Sequence, residues 1–247
     1  MKGNPDKCHI ITNSISECHV DVESSLIQNS SSERLLGVVF DNLLKFDIHI
    51  KSLCTRASVK LQALSRILPF MNLPKRRLLA NSFFMSMFSY CPLIWMFHSR
   101  RLNRKINSLH ERCLRVVYDD SISTFQELLL RDGAVRIHDR NLQFLAIEFY
   151  KIKNNISPLS SQELFPIKEN INSLRHQSDF VIRPIKTVYN GEGSLSYLGP
   201  KIWALIPDYI KMVKSLNIFK QKIKTWVPSK CPCRICRTHI EGVGFID

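Results

Sequence analysis

Three thiols and an imidazole crowd the end of the chain. Cys231, Cys233, Cys236 and His239 lie within nine residues, in the order Cys-Pro-Cys-Arg-Ile-Cys-Arg-Thr-His. Thiolate sulfur and imidazole nitrogen are the donors that hold zinc tetrahedrally, so these four residues form a candidate zinc site. Cys-x-Cys is a tighter spacing than the usual Cys-x-x-Cys knuckle, and the alternative is an exposed, oxidisable tail without metal. Lys224, Lys230, Arg234 and Arg237 flank the cluster. Cations there would lower the thiol pKa values and suit contact with a nucleic acid.

A second chemical feature is the stretch 100–118, RRLNRKINSLHERCLRVVY. At 100° per residue Arg101, Arg104, Lys105, Arg112 and Arg115 fall within about 100° of one another. Leu102, Ile106, Leu109, Cys113, Val116 and Val117 occupy a neighbouring arc, so the spacing predicts one helix with a cationic stripe beside an apolar one. The apolar stripe would dock on a core. The cationic stripe would face outward, either toward a polyanion or simply toward water. Asp119 and Asp120 follow this helix. A polymerase metal pair belongs at a strand turn with a third carboxylate nearby, so these two are read as the start of a loop. There is no phosphate-binding glycine loop, HExxH helix or GxSxG elbow. Aromatics sit among cations at 97–101, at Arg115 and Tyr118, and at Lys201 and Trp203, where stacking on bases is an option. Phe83, Phe84, Phe88, Trp95 and Phe149 are assigned to packing.

Composition agrees with a polyanionic partner. The 247 residues carry 35 Lys+Arg against 21 Asp+Glu, a formal charge of +14 and a pI near 9.6, which favours nucleic acid or another anionic surface. With 45% hydrophobic and 23% charged residues the chain can bury a real core. Residues 1–30 are polar and lack a signal-peptide core. No apolar run is long enough for a membrane span. Cys8, Cys18, Cys54, Cys91 and Cys113 are scattered as small core residues of a reducing compartment. The expected location is intracellular, nuclear or cytoplasmic, and not secreted.

The elements that would position these residues are mainly helical. Short strands are expected at 9–12, 19–22 and 35–41, with a serine-rich loop at 24–32. Ile50, Leu53, Ala57, Leu61, Leu64 and Leu68 step by three or four and predict an amphipathic helix from Asp47. Residues 75–97 are apolar on most sides and should form a buried helix kinked or divided at Pro92. The capping-box pattern Thr124–Glu127 predicts a short helix over 125–131, closed by Gly133. A long helix over 135–155 follows, with His138, Arg140, Lys151 and Lys153 on its polar side. Residues 157–198 read as loops with short strands near 180–182 and 187–189. Helices are expected again near 199–203 and over 215–226.

Several segments, in this order, resemble the non-LTR (LINE-type, jockey-like) retrotransposon reverse transcriptases: 4–8 (NPDKC), 36–41 (LGVVFD), 89–96 (SYCPLIWM), 109–115 (LHERCLR), 137–143 (IHDRNLQ), 197–203 (YLGPKIW) and the Cys-rich end with 243–245 (VGF). The resemblance covers essentially the whole chain and matches the part downstream of the polymerase aspartates. It implies a right-hand polymerase. Lys7 would fall at a palm lysine that protonates departing pyrophosphate, where a cation suits the developing charge. Residues 36–41 would fall near the primer-grip hairpin, and the helices after Asp47 would be thumb. The implied fold is mainly α, a helical thumb-like bundle preceded by a small remnant β hairpin of a palm, with an irregular C-terminal region. The expected divisions are 1–46 palm remnant, 47–156 thumb-like helices, 157–198 loop-rich connection, 199–227 C-terminal helices and 228–247 Cys-rich tail.

The resemblance implies RNA or an RNA–DNA template–primer as partner, neither a membrane nor a small molecule, and magnesium for the full-length enzyme. The family's catalytic aspartates lie before residue 1, so the expectation is a truncated RNA-directed DNA polymerase that keeps nucleic-acid binding and does not catalyse by itself. The competing expectations are a domesticated nucleic-acid-binding module with a zinc tail and a product without a selected role.

Overall fold

The computed structural model describes residues 8–12, 19–22, 25–168, 179–185, 191–240 and 244–246, with 238–240 and 244–246 described by backbone alone. It is mainly helical, with small antiparallel hairpins near both ends. Strand β1 (Val20–Val22) pairs with β2 (Ser25–Ile27), and β3 (Ser32–Leu35) pairs with β4 (Val38–Asp41). Leu36 and Gly37 between β3 and β4 both have positive φ, at 48° and 86°. That is the backbone which lets a two-residue loop follow the strand twist. The strand expected at 9–12 is reduced to a single parallel bridge between Ile10 and Asn29. Strand β2 falls inside the serine-rich stretch expected to be loop, because three residues paired to Val20–Val22 carry too little alternation to be seen. Lys7, Cys18 and the strand expected at 187–189 lie outside the described residues.

Asp41 joins the hairpin to the helices. Its buried carboxylate accepts the N–H groups of Leu43, Lys45 and Phe46 at 3.2, 3.0 and 2.6 Å. Helix α1 (Asp47–Ile67) begins there. His49 in its first turn accepts the Val39 N–H at 3.3 Å, a second tie to β4. The expected α1 seam is buried from Ile50 to Leu68.

The buried helix expected over 75–97 is divided at Pro92 as expected, but it is also broken up before that point. Helix α2 (Leu73–Leu79) has no buried residue. A π segment (Ala80–Phe84), a 3₁₀ segment (Met85–Ser89) and helix α3 (Pro92–Trp95) follow. Ser86 and Ser89 turn their hydroxyls back onto the Ser82 and Met85 carbonyls, and Cys91 takes a left-handed φ of 46° ahead of Pro92. Each competes with a regular helical ladder. Phe84, Phe88 and Trp95 are core as expected, whereas Phe83 is half exposed because the altered pitch turns it outward.

Helix α4 (Arg100–Tyr118) crosses α1 and closes the first core with Leu102, Ile106, Leu109, Cys113 and Val117. Helix α5 (Phe125–Asp132) starts at the Thr124–Glu127 capping box and ends at Gly133 with φ 65°. Helix α6 (Ile137–Lys153) runs from one core to the other: Ile137 is in the first, while Leu142, Leu145, Phe149 and Ile152 are in the second. The stretch 47–156 is thus divided between two cores. Helix α7 (Leu159–Leu164) buries no residue of its own, and the second core is completed by α8 (Leu195–Ala204), α9 (Asp208–Lys211) and α10 (Leu216–Ile223) with Phe165, Phe180 and Ile235. Near 180–182 there is one antiparallel bridge, Ile167 to Phe180, where a strand was expected. Tyr150 stacks on Phe219 at 4.2 Å, and Trp203 donates its indole N–H to Asp179 at 2.6 Å. Gly199 lies so close to the Phe149 ring that a Cβ there would clash, which explains a glycine inside α8. Backbone strands β5 (Thr238–Ile240) and β6 (Gly244–Ile246) end the chain.

No described helix is long and apolar enough to cross a membrane.

Burial holds His98 and His110 far below the ordinary imidazole range, each at about 4. Between pH 6.5 and 4 the unfolded chain takes up these two protons and the folded chain does not, so stability falls with pH across that window and levels off below it. Each group accounts for about 3 kcal/mol. Urea unfolding of the parent protein and a His110→Leu variant checks this. The stability difference between them should shrink by about 3 kcal/mol from pH 7 to pH 4, whereas a difference independent of pH contradicts a buried neutral His110.

Candidate metal centre

The Cys-rich tail is positioned by the helix before it. After α10, Gln143 on α6 donates its amide hydrogens to the carbonyls of Lys224 and Trp226, each at 2.9 Å. Trp226 and Ile235 are buried in the second core, so the chain between them lies against the start of α6. Within it, the N–H groups of Cys236 and Arg237 donate to the Cys233 carbonyl at 3.1 and 3.0 Å, closing a turn that faces the three thiols toward one point.

The fourth donor at that point is His138, the second residue of α6. Its Nε2 stands 3.3 Å from the Cys233 sulfur, across 95 residues of sequence. The donor atoms of His138, Cys231, Cys233 and Cys236 all lie within 4.8 Å of one another. Zinc–sulfur bonds of about 2.3 Å place tetrahedral ligands roughly 3.5–3.8 Å apart, so a small contraction suffices. His138, Cys231 and Cys233 are buried and Cys236 is exposed. His138 was expected on the polar side of its helix. It is only 3% exposed, because the tail covers the first turn of α6.

Electrostatics already favour a thiolate here. Hydrogen bonds from the Cys231 and Cys236 thiols, helped by the backbone N–H groups of Cys236 and Ile235, hold Cys233 below the ordinary thiol range against the cost of burial. The same sharing pushes Cys231 up, since it donates its proton within the cluster. By contrast burial pushes the core thiol of Cys113 up to about 12, an inert small residue. The donor set fits zinc: three soft sulfurs and one imidazole, four ligands with none left open, the pattern of a structural site. It does not fit magnesium, which takes oxygen ligands. His138 Nδ1 is buried with no hydrogen-bond partner, the nitrogen that carries the proton once Nε2 is a ligand.

The structure brings three of the four expected ligands together. The backbone of His239 is in β5, and its side chain lies outside the described residues. His138 was missed because ligand-spacing patterns are local. The available signals were a set of only three Cys and a histidine in the first turn of a helix whose start also buries Asp139, Asn141 and Gln143.

The cationic stripe is present on α4. Arg101, Arg104, Lys105 and Arg112 are exposed, and none has an ion-pair partner among the described residues. Arg115 is half buried and tied to Glu111 at 2.7 Å. Asp120 anchors the turn after α4. It accepts from Ile122, Ser123 and Arg131, and the Ser123 hydrogen bonds lead in lowering its carboxyl to about 2. The aromatics expected beside cations are mostly occupied: His98 and Trp203 are buried, and Tyr118 lies under Arg131 rather than Arg115.

No protein-family model, curated protein or solved structure matches the chain.

Purified protein should carry one zinc per chain. Cobalt substitution should give the intense visible bands of a tetrahedral sulfur-rich site. Cys233→Ser and His138→Ala should each weaken zinc binding by more than about 100-fold, because changes outside the ligand shell alone cost about 10–100-fold. Full zinc affinity in His138→Ala contradicts its assignment as a ligand.

Proposed function

We propose that this chain is a nucleic-acid-binding segment of a non-LTR retrotransposon reverse transcriptase, the thumb and the region beyond it, stapled by a structural zinc ion. Its partner is RNA or an RNA–DNA template–primer. The observation that carries this reading is the exposed face of α4. Arg101, Arg104, Lys105 and Arg112 stand without carboxylate partners on a helix whose other face is locked into the first core. A thumb needs such a combination, cations along the phosphates on a stiff apolar support. Exposed Lys51, Arg56, Lys60 and Arg66 on α1 add to the positive field.

The role assigned to these residues is binding rather than catalysis. Among the described residues the one group of three or more metal-ligating side chains is the Cys/His cluster. Two-metal phosphoryl transfer uses carboxylates instead. Zinc would be structural, joining the tail to α6. The same features suit a domesticated binding module, and template–primer extension by the chain alone distinguishes neither binding reading from the other but would overturn both as non-catalytic.

Binding of a single-stranded RNA over a range of salt concentrations tests the stripe. Arg104→Ala/Arg112→Ala should lower affinity and reduce the log–log salt slope by about 1.4, two contacts at roughly 0.7 each. Unchanged affinity and slope would mean that the stripe is only a solvated face.

A further inference from the structure

Beside the metal centre is a cleft of about 880 Å³. It is walled by the first turns of α4 and α6, by α8 and by the tail at 228–237. Five cationic side chains line it, Arg100, Arg136, Lys201, Lys230 and Arg237, against one carboxylate, Asp139. Asp139 is held by Arg136 at 2.8 Å, and Arg237 pairs with Glu192 at 3.6 Å. Arg100, Lys201 and Lys230 have no carboxylate partner among the described residues. Lys201 is oriented by the Tyr197 hydroxyl, to which its Nζ donates at 2.5 Å. Zinc on three thiolates adds one net negative charge and leaves the excess positive.

Like charges brought together from separate elements repel, so an arrangement of this kind is stabilised by an anion. The volume is within the range of about 300–1,000 Å³ typical of ligand sites. Leu205, Pro228 and Pro232 give it an apolar wall on which sugars can rest. Arg100 connects it with α4: it lines the cleft and is the residue before Arg101, where the exposed stripe begins. From Arg100 to Arg112 the helix runs about 18 Å at 1.5 Å per residue, long enough for a row of phosphates.

We propose that this cleft binds the phosphodiester backbone of a nucleic-acid strand, as the continuation of the strand held along α4. The metal centre then shapes a binding surface, because its Cys231 and Cys236 ligands form part of the wall. The proposal rests on the nucleic-acid reading above and extends it to residues off the stripe.

The test uses the full chain loaded with zinc and a fluorescent single-stranded RNA of about 20 nucleotides, long enough at 3.4 Å per phosphate to reach from stripe to cleft. Arg100→Gln/Lys230→Gln removes two exposed charges and touches no zinc ligand. It should keep its zinc and lose about 1.4 from the salt slope, two single-strand contacts. If the slope and affinity stay at the parent values while Arg104→Ala/Arg112→Ala loses slope, the cleft proposal is overturned and the stripe stands. If neither double variant changes binding, the nucleic-acid reading falls and the cleft proposal with it. Inorganic phosphate alone, followed by its ³¹P line width, covers the other source of the same chemistry. Broadening by the parent but not by Arg100→Gln/Lys230→Gln, with an unchanged RNA slope, would make the cleft a free-phosphate site and overturn the proposal.

Discussion

Cys233 and His138 stand 95 residues apart in sequence and 3.3 Å apart in space, and much of the C-terminal half depends on that meeting. A tail that runs from Trp226 to Arg237 has little secondary structure of its own to hold it. What fixes it is the set of contacts to α6: Gln143 to the carbonyls before the tail, Ile235 in the core, and the three thiols around one imidazole. Bringing three thiols and an imidazole together in a largely buried site without a metal is an expensive arrangement. Zinc held by these donors would supply four bonds, and the binding energy of a structural zinc is folding energy.

Helix α6 transmits this constraint. Its first residue, Ile137, packs in the core built by α1 and α4, its second is the metal-facing His138, and the rest packs against α8 and α10. The metal centre therefore sits where the two cores meet. The positive residues share the same junction: Arg100 opens α4 and Arg136 precedes α6, so the start of the basic face and the metal centre are held by neighbouring helix ends. Rigid helices with anchored ends hold these cations in fixed register.

The elements read most readily from the sequence were those decided locally. Helix α4 begins and ends where its two stripes do, and α5 starts at its capping box, because both signals are contained in one or two turns. The segment 75–97 was not readable in the same way. Its apolar composition said buried, but the π and 3₁₀ turns come from serines bonding back to carbonyls and from Cys91 in a left-handed conformation, which a periodicity count does not register. Three metal-facing thiols were legible from their spacing, and the fourth donor was not, since nothing local ties His138 to Cys233. Arg115 is an instructive intermediate: its Glu111 partner lies four residues earlier on the same helix, so its withdrawal from the stripe was available in the sequence.

X-ray absorption at the zinc edge tests the central claim most directly. The account predicts three sulfurs at about 2.3 Å and one nitrogen at about 2.0 Å in the parent protein, with the nitrogen shell lost in His138→Gln. An oxygen- and nitrogen-rich shell without three sulfurs, or an imidazole shell that persists after His138 is replaced, would contradict it.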